Sequence, residues 1–219
     1  MTQHKQVDKD HYQFARYMTK ARWSSLWHQV DEVRRLQPER VLEIGPGPGL
    51  FKKLAAMAGL HVETVDIDPE LGPDHVASAT ALPFADAAFD VVCAFQMLEH
   101  LPYEQSLAAI KEMARVAGRG IVVSLPDVRE VWPFLVSLPK IGEVRFVIPK
   151  PVLKARDHQF DGQHYWEIGK RGYEASKVIQ DFTVAGWQLS RTYRVFDHQY
   201  HRFLVFVPVR HDADRKGDS

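Results

Sequence analysis

Cysteine is nearly missing from this chain: Cys93 is the single one in 219 residues. That excludes an intramolecular disulfide framework and any multi-cysteine metal or iron–sulfur centre. An excess of charge is missing too, since Lys+Arg and Asp+Glu both number 28. Binding to nucleic acid through a broad basic face is therefore not expected. No apolar run reaches the length of a membrane-spanning helix, and the opening "MTQHKQVDKDHYQF" has no apolar signal-peptide stretch. A cytoplasmic location is the expectation. Internal repeats and low-complexity blocks are absent as well. With 45% hydrophobic and 26% charged residues, what is left is an ordinary globular chain, one domain with appendages.

Short apolar runs alternate with amphipathic stretches through the first 125 residues. "HYQFARYMTKARWSSLWHQVDEVRRLQ" carries Trp23, Leu26, Trp27, Val30, Val33 and Leu36 at helical spacing, and Pro38 ends it. "RVLEIG", "HVETVDID", "PDHVAS", "FDVVCAFQML" and "RGIVVSLP" read as strands. "GLFKKLAAMAG" and "YEQSLAAIKEMARVAG" read as the helices between them, closed by Gly59 and Gly118. This alternation predicts a doubly wound α/β sheet. Cys93 falls in the middle of an apolar strand and reads as a buried space-filler.

The pattern breaks at residues 126–163, where five prolines (Pro126, Pro133, Pro139, Pro149, Pro151) interrupt an apolar and basic stretch. A long irregular segment of this kind predicts a lid or binding loop. Order returns with "GYEASKVIQDFTVAGW" as a helix and two paired strands after it. The expected organisation is an N-terminal helical segment over 1–39, a main domain over 40–209 with a lid at about 126–163, and a flexible tail over 210–219.

"VLEIGPGPGL" places Gly45, Gly47 and Gly49 directly behind a strand. The spacing misses a dinucleotide fingerprint, which wants its third glycine at position 50, where Leu50 stands; a P-loop's Gly-Lys-Ser/Thr is absent. The loop still brings backbone N–H groups and a helix start to a ligand. Asp66, at the end of the second strand, lies near the offset at which an acid meets a ribose, and its charge would repel a 2′-phosphate. A nucleoside with a short polar appendage and no pyrophosphate is the ligand these features predict.

"VLEIGPGPG", "VDIDPE", "ALPFADAAFDVV" and "FQMLEHL", in this order and spacing, resemble the class I S-adenosylmethionine-dependent methyltransferases, especially the small-molecule group called methyltransferase type 11. The resemblance covers residues 40–125 well and the succession of elements through about 207. It implies a Rossmann-like, seven-stranded, mostly parallel sheet ending in an antiparallel hairpin, with N-terminal helices and a lid insertion after strand five. It implies that Glu43 holds the amino group of S-adenosyl-L-methionine and that Gly45, Gly47 and Gly49 admit its methionine part. Asp66 would bind the ribose and Ile67 cover an adenine face. Ser78, standing where an acid is common, and Ala79 would meet the adenine edge, and Gln96 would face the methionine portion.

His100, in "LEHLP", falls at the mouth of the acceptor pocket that the resemblance implies. It is read as a general base for a hydroxyl, with a structural hydrogen bond holding the loop as the alternative. His158 and His164, in "DHQFDGQHYWEI", are candidates by position, and with Asp157, Asp161 and Glu167 they could make a metal site; no helix-spaced histidine pair is evident, so no metal is expected. Tyr165 and Trp166 read as packing. The basic run Lys140, Arg145, Lys150, Lys154, Arg156 reads as a solvated face, or as a grip on an acidic substrate or a membrane surface. The expected activity is methyl transfer from S-adenosylmethionine to a small-molecule acceptor, at oxygen. An RNA or protein methyltransferase and a non-catalytic cofactor-binding protein are the alternatives. The absence of an Asn-Pro-Pro-Tyr or Asp-Pro-Pro-Tyr motif after the fourth strand argues against amino-methylation of DNA bases or glutamine.

Overall fold

The structure is a computed structural model, and residues 18–151 and 155–209 are described. The start of the expected N-terminal helical segment, Lys154 of the basic run and the expected tail lie outside them. Helix α1 (Lys20–Arg35) leads into β1 (Arg40–Ile44), α2 (Leu50–Met57), β2 (His61–Asp66) and β3 (His75–Val76). Then follow β4 (Phe89–Phe95), α3 (Tyr103–Val116), β5 (Ala117–Pro126), β6 (Val131–Leu138) and β7 (Gly142–Pro149). Helix α4 (Ala175–Phe182) and strands β8 (Trp187–Val195) and β9 (His198–Pro208) complete the chain.

Seven strands form one sheet in the order β3-β2-β1-β4-β5-β9-β8. β1 through β5 are parallel, and β9 runs antiparallel to both β5 and β8. The doubly wound sheet and its closing hairpin are thus as expected. Alternation along β4 divides the core: Val92 and Ala94 face α3 and α4, whereas Val91 and Cys93 face α1 and α2. A strand buried on both faces has to be apolar throughout, which is why "VVCAF" carries no charge. Cys93 is fully buried, its thiol near the Leu42 carbonyl at 3.5 Å, as a space-filler should be.

Two expectations need correction. The tryptophans of the N-terminal helix do not form its buried stripe: Trp23 is 53% exposed and Trp27 59%. The buried face is Ser25, Leu26, Gln29, Glu32 and Val33. The helix is rotated because polar partners wait on the closing hairpin. Ser25 Oγ meets His201 Nδ1 at 2.7 Å, and Glu32 accepts from Arg191 at 2.5 Å and from the Tyr193 hydroxyl at 2.9 Å. Buried polar groups with such partners lose little by leaving water.

Second, residues 126–163 are not irregular throughout. β6 and β7 pair antiparallel from Val131↔Pro149 to Leu138↔Gly142, forming a separate two-stranded ribbon. Prolines Pro133 and Pro149 are tolerated because each strand has a free edge, where a missing N–H breaks no ladder.

Candidate functional site

The carboxyl ends of β1, β2 and β4 share one edge, since Ile44 is in register with Val65 on one side and Ala94 on the other. Strand order reverses between β1 and β4, which opens a crevice there. Gly45, Gly47 and Gly49 leave β1 with φ of 67°, 51° and 67°. This left-handed backbone is the reason for three glycines in five residues. Gly45 is also pressed against its surroundings: a Cβ there would lie 2.3 Å from Met97 Cγ. Gly49 caps α2 without a side chain, so the first N–H groups of the helix face the crevice.

Glu43 lies at the end of β1, 3% exposed, and its Oε2 has no hydrogen-bond partner among the described residues. Burial pushes its carboxyl up to about 8, with Asp66 adding to the rise and Lys52 opposing it. Asp66 ends β2 and accepts the Asp68 N–H at 2.9 Å. Burial raises its carboxyl too, against the Asp68 and Ile67 amides. Ile67 is 42% exposed beside it. The Ala77 amide donates to the Asp66 carbonyl at 3.0 Å and brings Ser78 and Ala79 to the same corner. Ser78 Oγ is 2.9 Å from Thr80 Oγ1. Gln96 follows β4 with φ 52°, a strained value for a side-chain-bearing residue. Its amide donates to Ser124 Oγ at 3.3 Å. The residues expected to hold a cofactor therefore gather on one edge.

His100 lies one turn beyond Gln96, in the 3-10 turn Leu98–His100. Its Nδ1 lies 3.1 Å from the Gln163 carbonyl, and its ring packs edge-on against His164 at 5.0 Å. His164 Nδ1 is 3.1 Å from Glu167 Oε1, which also accepts the Tyr200 hydroxyl at 2.6 Å. Burial opposes protonation of His164, but Glu167 and Glu99 outweigh it and raise its pKa. His158 Nε2 reaches the His164 carbonyl at 2.9 Å. Asp161 accepts the Gln163 and His164 amides, whereas Asp157 turns outward to Arg171. Trp166 is fully buried and donates to Ser106 Oγ at 3.1 Å, as a packing residue.

Glu99 is the residue the sequence reading passed over. It is 0% exposed, neither carboxylate oxygen has a hydrogen-bond partner among the described residues, and burial pushes it up to about 7. A charged residue inside the apolar "QMLEHL" was the available signal. Tyr200 gave none.

The basic run is partly absorbed. Lys150 pairs with Glu130 and Arg145 with Glu143, each at 2.8 Å. Arg145 also lines a cavity of about 300 Å³ with Arg129, Arg194 and Arg202. Buried Asp127 pairs with the last three of these: Arg129 at 3.3 Å, Arg194 at 3.6 Å and Arg202 at 2.7 Å. No described helix is long and apolar enough to cross a membrane.

The sheet order, the positive-φ glycine loop and the acid ending β2 define the class I methyltransferase fold. Residues 42–123 match the family model described as a methyltransferase domain. A curated relative from Mycobacterium marinum, named an uncharacterized methyltransferase, is 35% identical over 106 residues, 43% of this chain and 41% of its own. The chain spans less than half the length of the curated relatives it matches. Among solved structures, the PH0226 protein from Pyrococcus horikoshii superposes with a TM-score of 0.59 at 17% identity, covering 91% of this chain and 94% of its own. The 1,6-didemethyltoxoflavin-N1-methyltransferase of Burkholderia thailandensis, solved with bound 1,6-didemethyltoxoflavin and S-adenosylhomocysteine, gives 0.57 at 12% identity, with 85% and 80% covered. At these identities the structures testify to the fold alone.

Proposed function

We propose that the chain is an S-adenosylmethionine-dependent methyltransferase acting on a small molecule, at an oxygen atom. The observation that carries this reading is Glu43: a buried carboxylate with one oxygen that has no hydrogen-bond partner among the described residues, beside three left-handed glycines and across from Asp66. A buried acid held so far from its ordinary range calls for a cation, and the ammonium of a methionine chain is one. Gly45, Gly47 and Gly49 would carry that chain against the backbone. Asp66 would take the ribose hydroxyls, with Ile67, Ser78 and Ala79 at the adenine and Gln96 at the methionine portion.

The bound cofactor supplies an electrophilic methyl on its sulfonium. The protein's part is to align an acceptor in line and exclude water. His100, with its Nδ1 proton directed to a carbonyl, keeps its lone pair on Nε2, the arrangement of a base for an acceptor hydroxyl. As oxygen bonds the methyl carbon, the carbon–sulfur bond breaks with its electron pair staying on sulfur, and the hydroxyl proton passes to His100. The ribbon β6–β7 leaves the end of β5 and would roof the acceptor, and the arginine-lined cavity at its base favours an acceptor bearing an anionic group.

The test is calorimetry with S-adenosylmethionine and S-adenosylhomocysteine, followed by transfer of labelled methyl to a panel of hydroxylated acids. Micromolar binding that weakens strongly in Glu43→Gln supports the reading. Equal affinity in folded wild type and variant would sink the assignment. Binding without transfer to any acceptor would favour a non-catalytic role, and transfer only to RNA or protein would move the substrate class.

A further inference from the structure

We propose that Glu99, His100 and His164 form a binding site for a divalent first-row cation, Zn²⁺ or Mn²⁺, at the acceptor end of the crevice. Among the described residues, these three each offer a ligand atom within 4.8 Å of the other two. Three further observations carry the assignment.

Glu99 is fully buried, and both of its oxygens lack a hydrogen-bond partner among the described residues. An acid kept in the interior without a hydrogen-bond donor among the described residues leaves both oxygens open to a cation.

Each histidine is already oriented as a ligand. A carbonyl can only accept, so the contact with Gln163 fixes the His100 proton on Nδ1 and the lone pair on Nε2. His164 is turned the same way by the Glu167 carboxylate, at 3.1 Å from its Nδ1. A carboxylate or carbonyl behind the imidazole is the usual outer support of a metal-bound histidine. Tyr200 in turn holds Glu167 through its hydroxyl at 2.6 Å.

The size is within reach of a cation. Metal–ligand bonds of about 2.1 Å require ligand atoms about 3.4 Å apart in a tetrahedron, so the three must draw together by up to about 1.4 Å. No hydrogen bond among the described residues holds the Glu99 carboxylate against that movement. Two imidazoles and one carboxylate suit Zn²⁺ or Mn²⁺ better than Mg²⁺ or Ca²⁺, which prefer oxygen.

Glu99 and His100 follow Met97, the residue packed against Gly45, so the cation would sit beside the glycine loop. Its catalytic consequence rests on the methyl-transfer reading: three protein ligands leave a position for the acceptor oxygen, whose proton the cation would acidify. His100 then serves as ligand, and the proton leaves to solvent.

The experiment uses the full chain, stripped with a chelator and titrated with ZnCl₂ by calorimetry, with CoCl₂ as a visible-absorption probe. Wild type should bind one equivalent and melt at a higher temperature with it. Glu99→Gln, which keeps shape and removes a buried charge, and His164→Ala should each weaken binding about 100-fold or more. Glu167→Gln, acting only through His164, should weaken it about 10–100-fold. No stoichiometric binding to folded wild type would overturn the proposal. So would unchanged affinity in Glu99→Gln and in a His100→Ala/His164→Ala double variant. Neither readout involves S-adenosylmethionine, so failure here is separable from failure of the methyl-transfer reading.

Discussion

Strand β4 reads "FDVVCAF" and strand β6 reads "VWPFLVSL", and by composition either suits a protein interior. Val91, Val92 and Cys93 are 0% exposed, whereas Trp132, Phe134 and Leu135 are 46%, 40% and 50% exposed. The difference lies in neighbours. β4 has a strand on each side and helices over both faces, whereas β6 pairs with β7 alone. Apolar composition makes a strand, and tertiary partners decide whether it is buried. A two-stranded ribbon by itself is marginal in water, so the apolar side chains of β6–β7 serve something other than core stability.

The comparison breaks most sharply with a charge. Val92→Asp should prevent folding or cost about 4 kcal/mol or more, because an unpaired carboxylate would sit in the core. Circular dichroism and urea unfolding check this, and a stable Val92→Asp protein would refute the packing. Next in size, Gly45→Val should lower cofactor affinity by about 100-fold, since its side chain meets Met97 and its φ of 67° resists branching. Retained affinity would mean that the loop is not the cofactor's seat.

Asp66→Ala should weaken cofactor binding by about 1–3 kcal/mol, the range for a lost buried polar partner. Calorimetry reads it, and an unchanged affinity would remove the ribose assignment.

Glu43 adds a dependence on pH. Its folded-state pKa is raised from an ordinary 4.5 to about 8, so the folded chain keeps a proton that the unfolded chain has lost. Stability contributed by this residue is therefore highest below pH 4.5 and falls as pH rises toward 8. Relative to wild type, Glu43→Gln should gain stability progressively across that window, as measured by urea unfolding at pH 5 and pH 8. Binding of an ammonium group should drive the proton off, so cofactor titrations at pH 7 in two buffers of different ionisation enthalpy should reveal proton release. Absence of release would separate Glu43 from the ligand.

The smallest effect belongs to the ribbon. Leu135→Asp should change stability by about 0.5 kcal/mol or less, the mirror image of Val92→Asp. A large loss of stability would show that β6–β7 is part of the folding unit.

Much of the candidate site is local in sequence and could be read there. Gly45, Gly47 and Gly49 are close together, and Asp66 and Gln96 each end a recognisable strand, so periodicity and backbone chemistry place them on one sheet edge. The His100 neighbourhood was legible only in part, because its partners His164, Glu167 and Tyr200 come from a turn and a strand far along the chain. No spacing rule connects them. Glu99 looked like one polar residue in an apolar turn, and its lack of a hydrogen-bond partner among the described residues is visible only in three dimensions.

By itself, the sequence determined the alternation of strands and helices, the glycine turn and the acid at the end of β2. Each depends on periodicity or on backbone freedom within a few residues. Tertiary structure alone decided which face of α1 is buried, because Ser25 and Glu32 enter the interior only where His201, Arg191 and Tyr193 can bond them. It also decided that Glu99, His100 and His164 meet and that the apolar side chains of the β6–β7 ribbon stay partly exposed. Burial and partnership are properties of what packs against a residue, and that information is spread over the whole chain.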